Sequence, residues 1–361
     1  MGGSFMYEFA EAFHTYSRQY LNEGLHVCQA ELYFNQLQLF IIDAEAPILC
    51  ASEIAVGKKF RSLTKKANEA LKAESIDEGQ VFIRGIAGTN KSLTIVTGFF
   101  DIGDFMTTNG NRTPEIYANW IKLFGRIKNP VVFYTDSQDF ATLFDNVRKD
   151  SKHLTKTIIV NRNSLWSFQI MPKIAKVFST PGYPLQHPNT FIPAYAALTH
   201  SKFPALVDAI QQNYFPTDYY TWLDIGYFRE IVNRNKTFWL EVPSDFEATK
   251  VGVTRICDCL YKGLTPKYII QKSFNWIGAG IILGKPEVLL RFAKQYKDAV
   301  MRYLNDGLMN TEQPIMYSMY LPEERKAHPL DVDLHLYIPG TKKVLSRNLW
   351  FYLGYLMYHE T

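Results

Sequence analysis

Asp224 stands where the run Tyr219-Tyr220-Thr221-Trp222-Leu223 ends, and Gly226 follows two residues later. Tyr220 to Leu223 is aromatic and β-prone, so it reads as a short buried strand. A carboxylate at the carboxyl end of such a strand sits in the crevice where α/β sheets hold their ligands. There it can take a hard cation, and the cation can hold a diphosphate. Gly226 lets a ligand come close to the backbone. The plain alternative is an aspartate that caps a strand-to-helix turn. Two more acids end strands in the same manner, Asp101 after Leu93 to Phe100 and Asp136 after Val131 to Thr135, and both also suit capping. Glu312 opens Asn310-Thr311-Glu312-Gln313-Pro314 at a helix start, where the helix dipole favours an acid in any case. Lys202 lies on the helix that leads into the acidic strand.

The elements that must position these residues follow from hydrophobic patterning. The chain has 361 residues, 47% of them hydrophobic and 15% aromatic, enough for one large domain or one domain with an attachment. Residues 1–80 form one expected segment, a helical stem or cap. Phe5 to Tyr20 and Leu25 to Ile42 are apolar at helical spacing, and Lys58, Lys59, Arg61, Lys65 and Lys66 form a basic, solvated face. Residues 81–361 are expected to form the main domain. There strands and helices alternate: strands Leu93 to Phe100, Val131 to Tyr134 and Thr157 to Val160, with helices Glu115 to Phe124 and Phe140 to Val147 between them. Successive β-α units ending in polar residues point to an α/β fold with a mostly parallel, Rossmann-like sheet. Asp104 to Arg112 reads as a polar loop, Ser164 to Phe178 as a helix, Pro181 to Pro193 as an irregular proline-rich segment, and Tyr195 to Tyr214 as one helix. Asn275 and Gly278 belong to a glycine-rich approach to a buried strand, and Pro286 begins a long amphipathic helix to Leu304.

Several function classes are excluded by what is missing. No G-x-G-x-x-G follows the first strand and no P-loop signature occurs, against a dinucleotide oxidoreductase or a P-loop NTPase. No G-x-S-x-G, H-E-x-x-H or kinase signature is present. A net charge of +4, spread along the chain, does not argue for nucleic acid. No run of 18 apolar residues exists, and Met1-Gly2-Gly3-Ser4 reads as an added leader. Membrane attachment would need an anchor absent from this chain. Cys28, Cys50, Cys257 and Cys259 lack zinc-ligand spacing and leave disulfides or buried thiols open. Sequons at Asn90, Asn111 and Asn235 lean towards a secretory lumen, Golgi or ER.

The order of strand ends, Thr97-Gly98-Phe99-Phe100-Asp101, Thr135-Asp136 and Leu223-Asp224-Ile225-Gly226, then Asn275-x-x-Gly278-x-Gly280 and Glu312-Gln313, is similar to nucleotide-sugar glycosyltransferases of the GT-A fold. More specifically, the chain resembles the HtrL/YibB family of glycosyltransferase-like proteins over about residues 92–357. The matching stretches are Thr94 to Gly103, Tyr134 to Ser137, Trp222 to Tyr227 and Trp276 to Gly280. The resemblance implies a GT-A-type mixed, mostly parallel sheet flanked by helices. It implies that Thr97, Gly98 and Phe99 line the nucleotide and that Asp136 meets base or ribose. Lys202 would approach the donor phosphates, and Asn275 and Gly278 the donor sugar. Asp224 would bind Mn²⁺ or Mg²⁺, and Glu312 would be the general base of an inverting reaction. The second acid of the Asp-x-Asp pattern is Gly226 here, so either a second metal ligand comes from elsewhere, with His335 the candidate, or the metal is dispensable.

Each role also has a physical case. Glycosyl transfer from a nucleoside diphosphate needs charge neutralisation at the leaving group, which Asp224 with a metal and Lys202 could supply. An inverting reaction needs a base at the acceptor hydroxyl, and Glu312 or Asp306 could serve. Trp166, Trp222, Trp276 and Tyr227 offer faces for a sugar, although Trp222 and Trp276 suit the core equally. The expectation is a glycosyltransferase moving a sugar from a nucleotide-sugar donor, a UDP-sugar first, to a glycan or glycoconjugate acceptor. The competing reading is a non-catalytic carbohydrate- or nucleotide-binding protein on the same fold.

Overall fold

In the computed structural model, residues 92–107, 110–258 and 263–360 are described. The chain divides into units 1–90 and 91–361, and all of the described residues belong to the second. The helices expected between Phe5 and Ile42 and the basic face around Lys58 to Lys66 lie outside the described residues.

Strand β1 (Leu93–Phe99) is apolar and buried on both faces, as a central parallel strand requires. A short hairpin comes next, β2 (Phe105–Thr107) and β3 (Gly110–Arg112). The polar stretch expected to be a plain loop is therefore partly paired, with Phe105 buried as its anchor. Helix α1 (Pro114–Ile121) starts at a proline, which fits the first helical turn because that turn has no partner for an N–H. Strand β4 (Val131–Thr135), α2 (Gln138–Val147) and β5 (Thr155–Ile159) complete the first half. Ser137 caps α2 by accepting the Phe140 N–H.

The expected helix Ser164 to Phe178 is two, α3 (Trp166–Gln169) and α4 (Met171–Phe178), because Pro172 cannot continue the hydrogen-bond ladder of the first. The expected helix Tyr195 to Tyr214 is also two, α5 (Pro193–His200) and α6 (Lys202–Gln212), with Ser201 at the break. Then come β6 (Tyr219–Leu223), β7 (Phe238–Leu240), β8 (Val251–Arg255), α7 (Pro266–Lys272) and β9 (Ile277–Gly284). Helix α8 (Pro286–Asn305) is the long amphipathic helix, followed by α9 (Glu312–Met319) and α10 (Pro322–Ala327). The tail adds β10 (Leu334–Tyr337), α11 (Tyr352–Leu356) and β11 (Tyr358–Glu360).

The main sheet has seven strands in the order β10-β8-β9-β6-β1-β4-β5. Only β9 runs against its neighbours; the pairs β5–β4, β4–β1, β1–β6 and β8–β10 are parallel. The fold is thus mixed α/β with a mostly parallel sheet, as the patterning predicts. Alternate residues of each strand feed two apolar cores, one per face. Val96, Val132, Trp222 and Ile282 join the cluster containing Phe203, Phe292 and Tyr296. Ile95, Phe133, Leu223 and Ile281 join the one containing Phe144, Phe238, Phe351 and Leu353. The chain leaves β1 towards β4 and later returns on the other side of β1 as β6. That reversal opens a crevice between the carboxyl ends of β1 and β6, the place where open α/β sheets bind ligands.

Candidate functional site

A cleft of about 430 Å³ occupies that crevice, within the size range of small-molecule sites. Its floor is the end of β1, Gly98 to Gly103, and the turn after β6, Asp224 to Tyr227. Its walls are the β2–β3 hairpin and α1, with Arg112, Tyr117 and Trp120, then His187 to Asn189, α5 with Tyr195, and the start of α9 with Thr311 to Gln313. The irregular Pro181 to Pro193 segment thus contributes a wall.

The centre of the cleft is an ion triad. Lys202, the first residue of α6, is only 3% exposed. Its ammonium donates to Glu312 Oε1 at 2.9 Å and to the Ala279 carbonyl at 2.8 Å, and lies 3.5 Å from Asp224 Oδ1. Ala279 and Gly280 are where β9 leaves its pairing with β6, which ends at the Leu223–Ile281 pair. The carbonyls released there are taken up by Lys202 and by the Asp224 N–H, which donates to Gly280 O at 2.8 Å. Burial alone would push the Lys202 ammonium down; Asp224 and Glu312 outweigh it and hold it above the ordinary lysine value.

Asp224 itself accepts the Trp222 indole N–H on Oδ1 at 2.5 Å. Its side chain remains 46% exposed, but only into a walled cleft that thins its hydration. Burial and the nearby Glu312 raise its pKa, against the pull of Lys202. A side chain at Gly280 would come within 3.2 Å of Asp224 Oδ2, so a glycine is what leaves this carboxylate room. Gly226 has the same kind of reason. A Cβ there would lie 2.7 Å from two ring carbons of Trp120, so the position of the missing second acid is filled by an indole.

Support comes from behind and below. His200 accepts from the Tyr296 hydroxyl on Nδ1 at 2.6 Å and donates from Nε2 to Asn310 O at 3.1 Å. Burial pushes this imidazole down to about 3, so it is neutral and braces the segment that delivers Thr311 and Glu312. Under the Asp224 turn, the Tyr227 hydroxyl accepts the Gly354 N–H at 3.0 Å and its ring packs 5.0 Å from Phe351. The tail therefore fixes the turn. Burial pushes the Tyr117 hydroxyl up to about 12, with Arg112 acting against the rise. Tyr195 is raised further by burial and Glu312.

Of the residues singled out in the sequence, the fold brings Gly98, Phe99, Lys202, Asp224 and Glu312 together around this cleft. It does not bring Thr97, Asp136, Asn275, Gly278, Asp306 or His335 to the lining. Thr97 is wholly buried within β1, and its hydroxyl meets no partner. Asp136 stands beside the rim, accepting the Asp101 N–H at 3.0 Å and pairing with Arg162 at 3.0 Å. Gly278 faces the tail, where Trp350 O is 3.4 Å from the place of a Cβ, and Asn275 does not line the cleft. Asp306 is exposed past the end of α8. His335 lies on edge strand β10, accepting the Glu247 N–H at 3.2 Å and stacking on Tyr337. Lys202 is present as expected, but its ammonium serves two carboxylates and a carbonyl. Trp222 and Tyr227 line the cleft from nearly buried positions, Trp276 is core, and Trp166 belongs to a separate groove with Phe203 and Lys297. Sequence reasoning missed Arg112, Tyr117, Trp120, Tyr195 and Arg229; the sole signal was aromatic and basic residues in short segments next to the acidic strand ends.

As a donor set for a resident Mn²⁺ or Mg²⁺ these residues do not fit. Asp224 is one carboxylate, its Oδ1 is engaged, an ammonium stands 3.5 Å away, and His335 is elsewhere. Among the described residues no group of three or more His, Cys, Asp or Glu side chains gathers.

Asn111 and Asn235, the sequon asparagines among the described residues, are both exposed, and Cys257 is disulfide-bonded. No helix among the described residues is long and apolar enough to cross a membrane. Residues 91–323 match the model of a family described as "Bacterial protein of unknown function (HtrL_YibB)". No curated protein matches the chain. The match contains the whole ion triad and leaves out Phe351 and Gly354, which hold the turn from below.

Proposed function

The chain belongs to the HtrL/YibB family, and from that premise we propose that it is a glycosyltransferase of GT-A type, taking a sugar from a nucleotide-sugar donor to a glycan or glycoconjugate acceptor. The observation that carries the reading is the cleft at the sheet's switch point, with Lys202 bridging Asp224 and Glu312. In this reading the nucleotide lies along Gly98 to Asp101 and the sugar over the Asp224 turn. Asp224 Oδ2 accepts a sugar hydroxyl. Glu312, with Oε1 engaged by Lys202, offers Oε2 to the acceptor.

In an inverting transfer the acceptor oxygen bonds to the anomeric carbon as the bond from that carbon to the phosphate oxygen breaks. The electron pair leaves with the nucleoside diphosphate, and the acceptor's proton passes to Glu312. Lys202 holds the Glu312 carboxyl in place through Oε1. The lumenal location goes with this reading, supported by the exposed sequons and the bonded Cys257.

The absence of a carboxylate at Gly226 favours one rival, a binding protein that kept the cleft without the chemistry. A thermal-shift panel of UDP-, GDP- and CMP-sugars tests the donor assignment. One nucleotide class should stabilise the wild type, and Asp224→Asn should lose most of the sugar-dependent part of that shift. A flat response to every nucleotide sugar would remove the reading.

A further inference from the structure

Two cations in the cleft take no part in the triad. Arg112 ends β3, and Arg229 follows the Asp224 turn; both line the cleft. Their guanidinium carbons lie 5.3 Å and 5.8 Å from the centre of the Trp120 ring, so both groups contact one indole. Arg229 is oriented by a 3.1 Å hydrogen bond to Gly226 O and by stacking on Phe351 at 4.5 Å. Arg112 makes one long contact, 3.5 Å, to Asn111 O. Among the described residues, the hydrogen bonds of both groups go to backbone carbonyls, not to carboxylates. Burial and the neighbouring charge of Arg112 lower the Arg229 pKa, against the pull of Glu230 and Asp224.

Like charges held together are unfavourable until an anion comes between them. The triad supplies that anion only in part: Asp224 attracts Arg229, but Lys202 takes up one of the triad's two carboxylate charges. Guanidinium forks match phosphate oxygens in pairs, which an ammonium cannot do. The same cleft lacks the ligands for a resident divalent ion. We propose that Arg112 and Arg229 form a clamp for the ligand's diphosphate and neutralise its charge in place of a protein-held metal ion. The diphosphate's identity rests on the nucleotide-sugar reading; the clamp itself requires only a polyanion in this cleft.

The test is calorimetric titration of the full chain with inorganic pyrophosphate, in EDTA and again in excess Mg²⁺ or Mn²⁺. Wild type should bind in EDTA, and added metal should not tighten the binding. Arg112→Ala and Arg229→Ala should each weaken it by about tenfold or more, the effect of one charge-assisted contact. Arg229→Lys, which keeps the charge but not the fork, should fall between. Circular dichroism melts check folding, and if Arg229→Ala does not fold, Arg112→Ala on its short hairpin carries the test. Pyrophosphate binding that vanishes in EDTA and returns with metal would overturn the clamp. So would no binding in either buffer, or arginine variants that bind like wild type. Behaviour as expected with no nucleotide sugar consumed leaves the clamp and removes the transferase. Turnover that demands a metal does the reverse.

Discussion

Replacing Lys202 by methionine is the sharpest structural test of the triad. The side chain is 3% exposed, and its ammonium has Glu312 Oε1 at 2.9 Å, Ala279 O at 2.8 Å and Asp224 Oδ1 at 3.5 Å. Methionine fills nearly the same volume, so packing changes little and the charge term dominates. Glu312, with its side chain 7% exposed, would be stranded as a buried carboxylate. Breaking a buried pair from one side costs about 3–5 kcal/mol, and the Ala279 carbonyl loses about 1 kcal/mol more. Asp224 adds little, because its 46% exposed side chain is screened by solvent in the cleft. The total is a large share of the roughly 5–15 kcal/mol that holds a domain together. Because the folded Lys202 ammonium sits above the usual lysine value, the wild-type stabilisation is complete at neutral pH and fades only in alkali. Protonating the stranded carboxyls removes their charge, so the deficit of Lys202→Met should be greatest at neutral pH and smaller in acid. Lys202→Met with Glu312→Gln should recover most of it. Urea unfolding of all three proteins, at about pH 7 and about pH 5, measures this. A single variant as stable as wild type at neutral pH, or a double variant no better than the single, refutes the reasoning.

Further predictions concern the scaffold. Gly226→Ala should cost about 1–3 kcal/mol through its 2.7 Å approach to Trp120, and Gly226→Asp more; adding Trp120→Ala should relieve both, read by denaturant midpoint. His200 folds with its pKa depressed to about 3, so the unfolded chain takes up a proton that the folded one refuses as pH falls below the usual histidine value. Stability should therefore decline by about 1.4 kcal/mol per pH unit on this account below about 6.5, and His200→Gln should lose that slope. Arg148 is 1% exposed and donates to the carbonyls of Phe124, Ile127, Asn129 and Leu154 and to Thr155 Oγ1. Arg148→Met strands these acceptors and should cost about 3 kcal/mol or more, a loss that Arg148→Lys only partly repairs; thermal unfolding reads it.

The central strands β1, β4, β6 and β9 were legible because each writes its burial into a short contiguous run, which β2, β3, β10 and β11 do not. Leu93 to Phe99 and Tyr219 to Leu223 carry no charge and, besides apolar residues, only threonine and one glycine, which suits burial on both faces. Asp224 was legible for the same reason, as the first polar residue after such a run. Glu312 was expected at a helix start and Lys202 within a helix, but their contact was not, because 110 residues separate them and no local pattern records it. Helix breaks at Pro172 and Ser201 differ in kind. The proline carries a backbone reason, whereas Ser201 keeps helical dihedrals and only re-aims α6. Arg112 and Arg229 could not be seen as a pair, because one ends a three-residue strand and the other follows a turn, and Trp120 joins them only in the folded state. The place of His335, the candidate second ligand, could not be read from the sequence, because only the strand order puts it at the far edge of the sheet. The Gly226 departure had no meaning in the sequence; Trp120 supplies it.

The most direct test of the central claim is ³¹P NMR of the nucleotide sugar that stabilises the wild type, followed over time with the protein and a glycan acceptor mixture. The account predicts that the paired diphosphate resonances of the donor give way to those of the free nucleoside diphosphate. Glu312→Gln should bind the donor yet leave it unchanged. A donor that stays intact on saturated wild-type protein, or is consumed equally by Glu312→Gln, contradicts the account.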